Sequence, residues 1–92
     1  MAKIIVFKDI EFKGGALVLT SSDPNLKPQD FHDCISSLIV IEGTWMLYKD
    51  IEYGGDSCEV KADGGPAKDG TYPDWSDWGG QNDAISSIKL VG

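Results

Sequence analysis

The sequence lacks the features that mark several common classes of protein. No apolar run exceeds four residues, so no segment predicts a signal peptide or a transmembrane helix. Only two cysteines are present, and there is no Asn-x-Ser/Thr glycosylation site, so nothing marks a secreted, disulfide-stabilised domain. We therefore expect a cytoplasmic protein without a membrane segment, in which Cys34 and Cys58 are buried free thiols.

Basic residues and catalytic motifs are also scarce. The chain has 8 Lys and Arg residues against 15 Asp and Glu residues, a formal net charge of −7, which disfavours nucleic acids and anionic membrane surfaces and makes a cation the more natural partner. No HExxH, Gly-x-Ser-x-Gly, phosphate-binding Gly-Lys or Cys-x-x-Cys motif occurs, and His32 is the sole histidine. We therefore predict one 92-residue domain that is not an enzyme.

What the sequence does contain is an internal duplication. Segment 5–14, IVFKDIEFKG, recurs as 46–55, MLYKDIEYGG, and segment 33–37, DCISS, recurs as 83–87, DAISS. The first pair is offset by 41 positions and the second by 50, so the second copy carries nine extra residues. We place them in 62–81, a long loop rich in Gly, Pro and Asp. The two copies span about 1–42 and 43–92.

Short β-branched or alternating runs, separated by turn residues, predict an all-β protein. Six strands are expected, at 4–7, 16–20, 38–41, 44–48, 57–61 and 88–91. Positions that stay apolar in both copies should face the core, and they are Leu17, Leu19, Leu38, Val40, Cys58, Val60, Ile88 and Leu90. Two four-stranded units would then pack as a β-sandwich with pseudo-twofold symmetry and Greek-key connections.

Each copy also begins with a hairpin signal. An aromatic residue is followed five positions later by a second aromatic, and two positions after that by glycine; these residues are Phe7, Phe12 and Gly14, then Tyr48, Tyr53 and Gly55. We predict that each hairpin tip folds back over its sheet and that the aromatic pair clamps it. The glycine would allow a positive φ or a close backbone approach.

These residues resemble the signature of the βγ-crystallin family, aromatic-x4-aromatic-x-Gly followed by Asn/Asp-Asn/Asp-x-x-Ser/Thr-Ser, present twice. The hexapeptide is matched in full by 82–87, NDAISS, and at five of six positions by 32–37, HDCISS. The resemblance covers essentially the whole chain. It implies a sandwich of two Greek keys that binds two Ca²⁺ ions, each of which takes about six to eight oxygen ligands.

The resemblance also implies which residues bind calcium. They are Asp33 and Asp83 through carboxylates, Ser36 and Ser86 through hydroxyls, and Lys8, Cys34, Lys49 and Ala84 through main-chain oxygens. Each hydroxyl would complete the site of the other copy. One carboxylate per site implies weak binding, with a Kd of about 10⁻⁶ to 10⁻³ M. His32 replaces the usual Asn or Asp; it would weaken the first site when protonated below about pH 6.5, or be a loop residue without a role.

Other functions stay open at this point. Asp and Ser in such loops also cap turns. The loop from Tyr72 to Trp78, with its carboxylates at Asp69, Asp74 and Asp77, could recognise a carbohydrate or a protein while calcium only braces the scaffold. Alternatively, Trp75 and Trp78 cover the open end of the second sheet. The sequence favours a calcium-binding monomer with a structural, stabilising or calcium-buffering role, and any protein or glycan partner is unknown.

Overall fold

The computed structural model describes residues 2–31, 34–78 and 85–92, without the side chains of Trp75 and Trp78. Its strands are β1 (Lys3–Asp9), β2 (Lys13–Leu19), β3 (Ser37–Glu42), β4 (Thr44–Asp50), β5 (Gly54–Lys61), β6 (Thr71–Tyr72) and β7 (Ser87–Leu90). Short 3-10 helices span Lys27–Gln29, Ile51–Tyr53 and Trp75–Trp78. The all-β prediction is confirmed. None of the described residues belongs to a helix long and apolar enough to cross a membrane.

The strands form two antiparallel sheets that pack on one core. The first sheet has the order β2-β1-β3-β6 and the second the order β5-β4-β7. Equivalent residues pair in both, as Val6 with Leu17 and Leu47 with Cys58 show. Every residue predicted to face inward is buried or packs against the buried cluster, because the strands alternate between core and solvent as their apolar pattern requires. The sandwich is therefore confirmed.

The third strand of each repeat pairs with the other repeat, which we did not expect. β6 belongs to the second repeat but lies beside β3 of the first, with Tyr72 opposite Leu38. Asp23 of the first repeat exchanges two main-chain hydrogen bonds with Ile88 in β7, at 2.8 and 3.0 Å. The two units are thus not self-contained. The sequence did not predict these contacts, because a bridge of one residue and a strand of two are too short to show an alternation of apolar and polar residues.

Most of the extra residues in the second copy lie between β5 and β6. Asp23 and Tyr72 occupy equivalent positions and are 49 residues apart, whereas the hairpins are 41 apart, so eight of the nine extra residues precede Tyr72. This segment closes on itself where the N–H of Gly70 donates to the carbonyl of Gly64, at 2.9 Å. The predicted long loop, 62–81, is thus interrupted by β6 and by a 3-10 helix.

Candidate metal centre

Each hairpin tip folds over its own sheet and is held by two aromatic rings. The ring centroids of Phe7 and Phe12 are 5.8 Å apart, with an interplanar angle of 67°. Those of Tyr48 and Tyr53 are 5.6 Å apart, at 62°. Both contacts are edge-to-face, the arrangement that the quadrupoles of aromatic rings favour. The predicted aromatic clamp is therefore confirmed in both repeats.

The last serine of each hexapeptide fastens the hairpin tip to the sheet. The Ser37 hydroxyl accepts a hydrogen bond from the N–H of Phe12, at 3.0 Å, and donates one to the carbonyl of Asp9, at 2.5 Å. The Ser87 hydroxyl makes the equivalent two bonds in the second repeat, at 3.1 and 2.6 Å. Both serines are buried. The sequence carried a signal for this role, since serine stands at the same position in both hexapeptides, but we did not assign it.

The penultimate serine of each hexapeptide lies against the first strand of its hairpin. The N–H of Ser36 donates to the carbonyl of Phe7, and the N–H of Ser86 donates to the carbonyl of Tyr48, at 2.9 Å in both cases. The two serines are only 5 and 2% exposed. Lys8 and Lys49 directly follow these two acceptor residues. The resemblance implies their main-chain oxygens as calcium ligands. Two kinds of predicted ligand therefore lie close together in each repeat.

Each hairpin tip also contacts the other repeat. The N–H of Glu11 donates to the carbonyl of Pro73, and the N–H of Glu52 donates to the carbonyl of Pro24, at 2.6 Å in both cases. Pro73 directly follows Tyr72 of β6, and Pro24 directly follows Asp23. Tyr72 and Asp23 are the positions at which one repeat pairs with the other. A displacement of one hairpin tip would therefore disturb the other repeat as well as its own.

Five of the eight predicted ligand residues lie in the described part of the chain, and they are Lys8, Cys34, Ser36, Lys49 and Ser86. Asp33, Asp83 and Ala84 lie outside the described residues, as does His32. Within residues 2–31, 34–78 and 85–92, no three His, Cys, Asp or Glu side chains are grouped to hold a metal. The implied donors are mainly hydroxyls and main-chain carbonyls. Such hard oxygen donors fit Ca²⁺.

An ion pair lies on the residues that precede the first hexapeptide in the chain. The Lys8 ammonium is 3.2 Å from a carboxylate oxygen of Asp30 and 5.1 Å from the centre of the Phe31 ring. Asp30 is almost fully exposed, so this ion pair adds little stability, yet it holds the ammonium beside the residue that precedes the hexapeptide. The second copy has Gly80 and Gln81 at the two corresponding positions. Lys8 is thus neutralised by Asp30, whereas its counterpart Lys49 has no acidic residue at the position that corresponds to Asp30.

Tyr72, predicted to belong to a possible recognition loop, is a core residue. It is buried, and its hydroxyl accepts a hydrogen bond from the N–H of Lys61, at 3.2 Å. An aromatic ring in this position fills space between the sheets and offers no surface to a ligand. The side chains of Trp75 and Trp78 lie outside the described part of the chain, so the prediction that they cover the second sheet stays open.

The carboxylates near that loop accept hydrogen bonds within their own turns. Asp69 accepts from the hydroxyl and the N–H of Thr71, at 2.5 and 3.1 Å, and these bonds lower the pKa of the Asp69 carboxyl, the hydroxyl more than the N–H. Asp74 accepts from the N–H of Ser76, and Asp77 accepts from the N–H of Asp74. These carboxylates therefore act as turn caps.

Both cysteines are free thiols, as expected. They are partly rather than fully buried, and Cys34 places its sulfur 3.7 Å from the carbonyl of Asp30. Burial, followed by the charge of the Asp56 carboxylate, raises the pKa of the Cys58 thiol. A thiol with a raised pKa stays protonated at neutral pH and is a poor nucleophile and metal ligand. Cys58 therefore contributes to packing rather than to metal binding.

Two exchanged Greek keys, each with a clamped hairpin and a serine-anchored hexapeptide, define a duplicated crystallin-type domain. The family model described as Beta/Gamma crystallin matches residues 3–91. The chain therefore belongs to the βγ-crystallin family, and the resemblance seen in its sequence is confirmed.

Individual relatives agree with this assignment. A beta/gamma-crystallin of Ciona intestinalis is 39% identical over 89 residues, which are 97% of this chain and 98% of the relative. A solved structure from that organism has a TM-score of 0.87 at 38% identity and covers 97 and 99% of the two chains. An archaeal βγ-crystallin has a TM-score of 0.82 at 30% identity and covers 98% of each. Gamma-crystallin B of Bos taurus is 36% identical over 91 residues, and this chain spans 47% of it.

Proposed function

We propose that this protein binds two Ca²⁺ ions at its paired hexapeptide loops and that the ions brace the contact between the repeats. The observation that carries the proposal is the matched position of Ser36 and Ser86. Both are buried, and both lie against the strand that carries Lys8 or Lys49. Their hydroxyls are oxygens of the kind that Ca²⁺ takes, and they stand at the same place in both copies. The resulting role is structural stabilisation or calcium buffering rather than catalysis.

The donor set explains what each residue would do. Asp33 and Asp83 would supply the negative charge, while the two serines and the main-chain oxygens of Lys8, Cys34, Lys49 and Ala84 would complete the shell. Two bound ions would change the formal charge from −7 to −3 and so reduce repulsion among the carboxylates. With one carboxylate in each site, we expect a Kd of about 10⁻⁶ to 10⁻³ M.

The contacts between the repeats support a link between calcium binding and folding. The carbonyl of Ser86, a proposed ligand residue, accepts a hydrogen bond from the N–H of Leu26 in the other repeat, at 2.9 Å. An ion bound beside Ser86 would therefore favour the native contact between the repeats. By mass action, binding to the folded state alone stabilises it by about 2.7 kcal/mol for each site when calcium is about 100 times its Kd.

Recognition of a carbohydrate or protein by the loop from Tyr72 to Trp78 has less support. Tyr72 is buried, and Asp69, Asp74 and Asp77 accept hydrogen bonds within their own turns. Recognition would therefore depend on Trp75 and Trp78. Substitution of both tryptophans by alanine should leave calcium binding intact if the hexapeptides are the binding sites.

Calorimetry tests the proposal directly. Calcium should produce heats that fit two sites, and it should raise the melting temperature. The variant Asp33→Asn with Asp83→Asn should lose both effects. The variant Glu59→Gln with Asp63→Asn is the control, because it removes the same two charges from exposed positions and should bind calcium as the wild type does. If the double aspartate variant bound calcium with the same heats as the wild type, the proposal would be wrong.

The single variants test whether the sites are equivalent. His32 stands in the first hexapeptide where Asn82 stands in the second, so the first site has one potential oxygen ligand fewer. We therefore expect the first site to be the weaker one, because Ca²⁺ is held by oxygen ligands. Asp83→Asn should remove the tighter binding step, and Asp33→Asn should remove the weaker step. The reverse order would contradict this assignment.

A further inference from the structure

One short segment joins the two hexapeptides through main-chain hydrogen bonds. The carbonyl of Ser86, in the second hexapeptide, accepts from the N–H of Leu26, at 2.9 Å. The carbonyl of Leu26 accepts in turn from the N–H of Phe31, at 3.1 Å, and Phe31 directly precedes the first hexapeptide. We call residues 23–31 the connecting segment. Leu26, which is fully buried, therefore bonds to the second hexapeptide on one side and to the entrance of the first on the other.

The start of the connecting segment is fixed to the second repeat. Asp23 exchanges its two main-chain hydrogen bonds with Ile88 of β7, the strand in which the second hexapeptide ends. The carbonyl of Pro24 accepts from the N–H of Glu52 at the tip of the second hairpin, at 2.6 Å. A displacement of the second hexapeptide or of its hairpin would therefore move the start of the connecting segment.

The end of the connecting segment is held by the first repeat. The Lys8 ammonium is 3.2 Å from a carboxylate oxygen of Asp30 and 5.1 Å from the centre of the Phe31 ring. Lys8 belongs to β1, the first strand of the first hairpin, and its main-chain oxygen is a proposed calcium ligand. The connecting segment thus contacts the proposed ligand residues of both repeats.

The connecting segment has little structure of its own. Of residues 23–31, only Leu26 and Phe31 are buried, and five others are exposed. Its regular structure is a single 3-10 turn at Lys27–Gln29, and Asp30 has a φ of 61°, which a non-glycine residue adopts at some cost. Segments with so few buried contacts open at a lower free energy than the whole domain. The connecting segment should therefore exist in a closed state and an open state while both sheets stay folded.

We propose that the connecting segment couples the two calcium sites, so that one bound ion raises the affinity for the other. This inference rests on the proposed function. An ion that orders the second hexapeptide favours the bond from Leu26 to Ser86 and hence the closed segment, which in turn holds Phe31 at the entrance of the first hexapeptide. The next ion then binds a protein that is already ordered, so less conformational entropy is lost. The effect is reciprocal, and coupling of the usual size changes affinity at least about fivefold.

Asn25 allows the segment to be loosened without a change in the proposed ligands. Its N–H donates to the Asp23 carboxylate, at 3.1 Å, and its side-chain oxygen accepts from the N–H of Lys27, at 3.0 Å. Asn25→Ala removes the second bond and should favour the open state. Asn25→Ser keeps a side-chain oxygen near the same N–H and should restore the closed state. Asn25 is thus a positioning residue rather than a ligand.

Calcium titrations by calorimetry measure the coupling. Asp33→Asn and Asp83→Asn each leave one site and so give the affinity of each site alone. We define the coupling factor as the product of the two association constants of the intact pair divided by the product of the two single-site constants. It should be at least about five in the wild type. In matched sets of variants, it should fall towards one with Asn25→Ala and recover with Asn25→Ser. Thr71→Val, which removes a side-chain hydrogen bond in another turn, is the control and should leave it unchanged.

Hydrogen exchange gives a readout at the connecting segment itself. In Asp33→Asn, which retains only the site of Asp83, calcium should slow the exchange of the Leu26 and Phe31 amides. The amide of Lys68 is the control, because it is hydrogen-bonded within the separate loop between β5 and β6. Its exchange should be the same with and without calcium.

The outcomes distinguish this inference from the proposed function. A wild type without calcium heats would contradict the proposed function, and the coupling with it. Two sites that fill independently would overturn the coupling alone. If Asn25→Ala kept the wild-type coupling factor, ligands shared between the hexapeptides would be its cause, and the role of the connecting segment would be wrong. Should Asn25→Ala fail to fold, unchanged exchange of the Phe31 amide in Asp33→Asn would still overturn that role.

Discussion

The hydroxyl of Ser87 donates a hydrogen bond to the main-chain carbonyl of Asp50, 2.6 Å away and 37 positions earlier in the chain. The same oxygen accepts a hydrogen bond from the N–H of Tyr53, at 3.1 Å. One buried side chain therefore holds both ends of the short 3-10 turn at the hairpin tip. Inside that turn, Glu52 and Tyr53 have φ values of 55 and 61°, which non-glycine residues adopt at some cost.

Removal of this hydroxyl should destabilise the protein. We predict that Ser87→Ala and Ser37→Ala each lower the free energy of unfolding by about 1–3 kcal/mol, because two main-chain groups lose a partner at a poorly hydrated position. Urea denaturation measures the loss. Ser57→Ala, at an exposed position in β5, is the control and should have little effect. An unchanged urea midpoint in both hexapeptide variants would contradict this role.

The hairpin glycines should resist substitution for a different reason. Gly14 has φ of +77°, and an added Cβ would lie 2.7 Å from a carboxylate oxygen of Asp9. Gly14→Ala should therefore cost at least about 1–2 kcal/mol, the usual penalty for left-handed backbone. Gly15→Ala is the matched control, since its Cβ would lie 3.4 Å from the flexible Lys8 side chain. Equal melting temperatures for the two variants would contradict the prediction.

The turn before β6 should contribute stability that depends on pH. Hydrogen bonds from Thr71 lower the pKa of Asp69 below its ordinary value. A carboxyl group with a lowered pKa in the folded state contributes stability above its unfolded pKa of about 3.9 and loses that contribution as the pH falls through the folded value. Thr71→Val removes the hydroxyl donor and should raise the pKa of Asp69.

Carboxyl chemical shifts, followed by NMR as the pH is lowered, measure this pKa. Thr20→Val is the control, because it removes an exposed threonine hydroxyl far along the chain and should leave the titration of Asp69 unchanged. A Thr71→Val protein in which Asp69 titrates as in the wild type would show that the hydroxyl does not set the pKa.

The duplication made much of the fold predictable. Leu17 aligns with Cys58, and both pack against the core, whereas their neighbours Val18 and Glu59 point outward. Because the two copies adopt the same backbone arrangement, positions that are apolar in both copies can be distinguished from positions that are apolar in only one. The former face the core. The aromatic clamp was predictable for the same reason, since both of its rings recur at constant spacing.

The candidate site was predictable only in part. Ser36 and Ser86 are buried next to the strands of Lys8 and Lys49, while the calcium-binding roles of all eight residues stay predictions. The position of Tyr72 could not be read from the sequence. It is flanked by Gly, Pro and Asp, which predict a loop, yet it fills the core through a strand of two residues.

By itself, the sequence determined the all-β class, the two repeats, the inward and outward phase of the strands, and the hairpin and hexapeptide motifs, because these depend on short-range spacing. Only the tertiary structure decided that the third strands cross between the sheets and that Ser37 and Ser87 anchor the hairpin tips. These features depend on hydrogen bonds and strand pairs between distant residues. Main-chain groups take part in most of them. Because every residue except proline carries the same main-chain donor and acceptor, the residue types do not reveal which groups will pair.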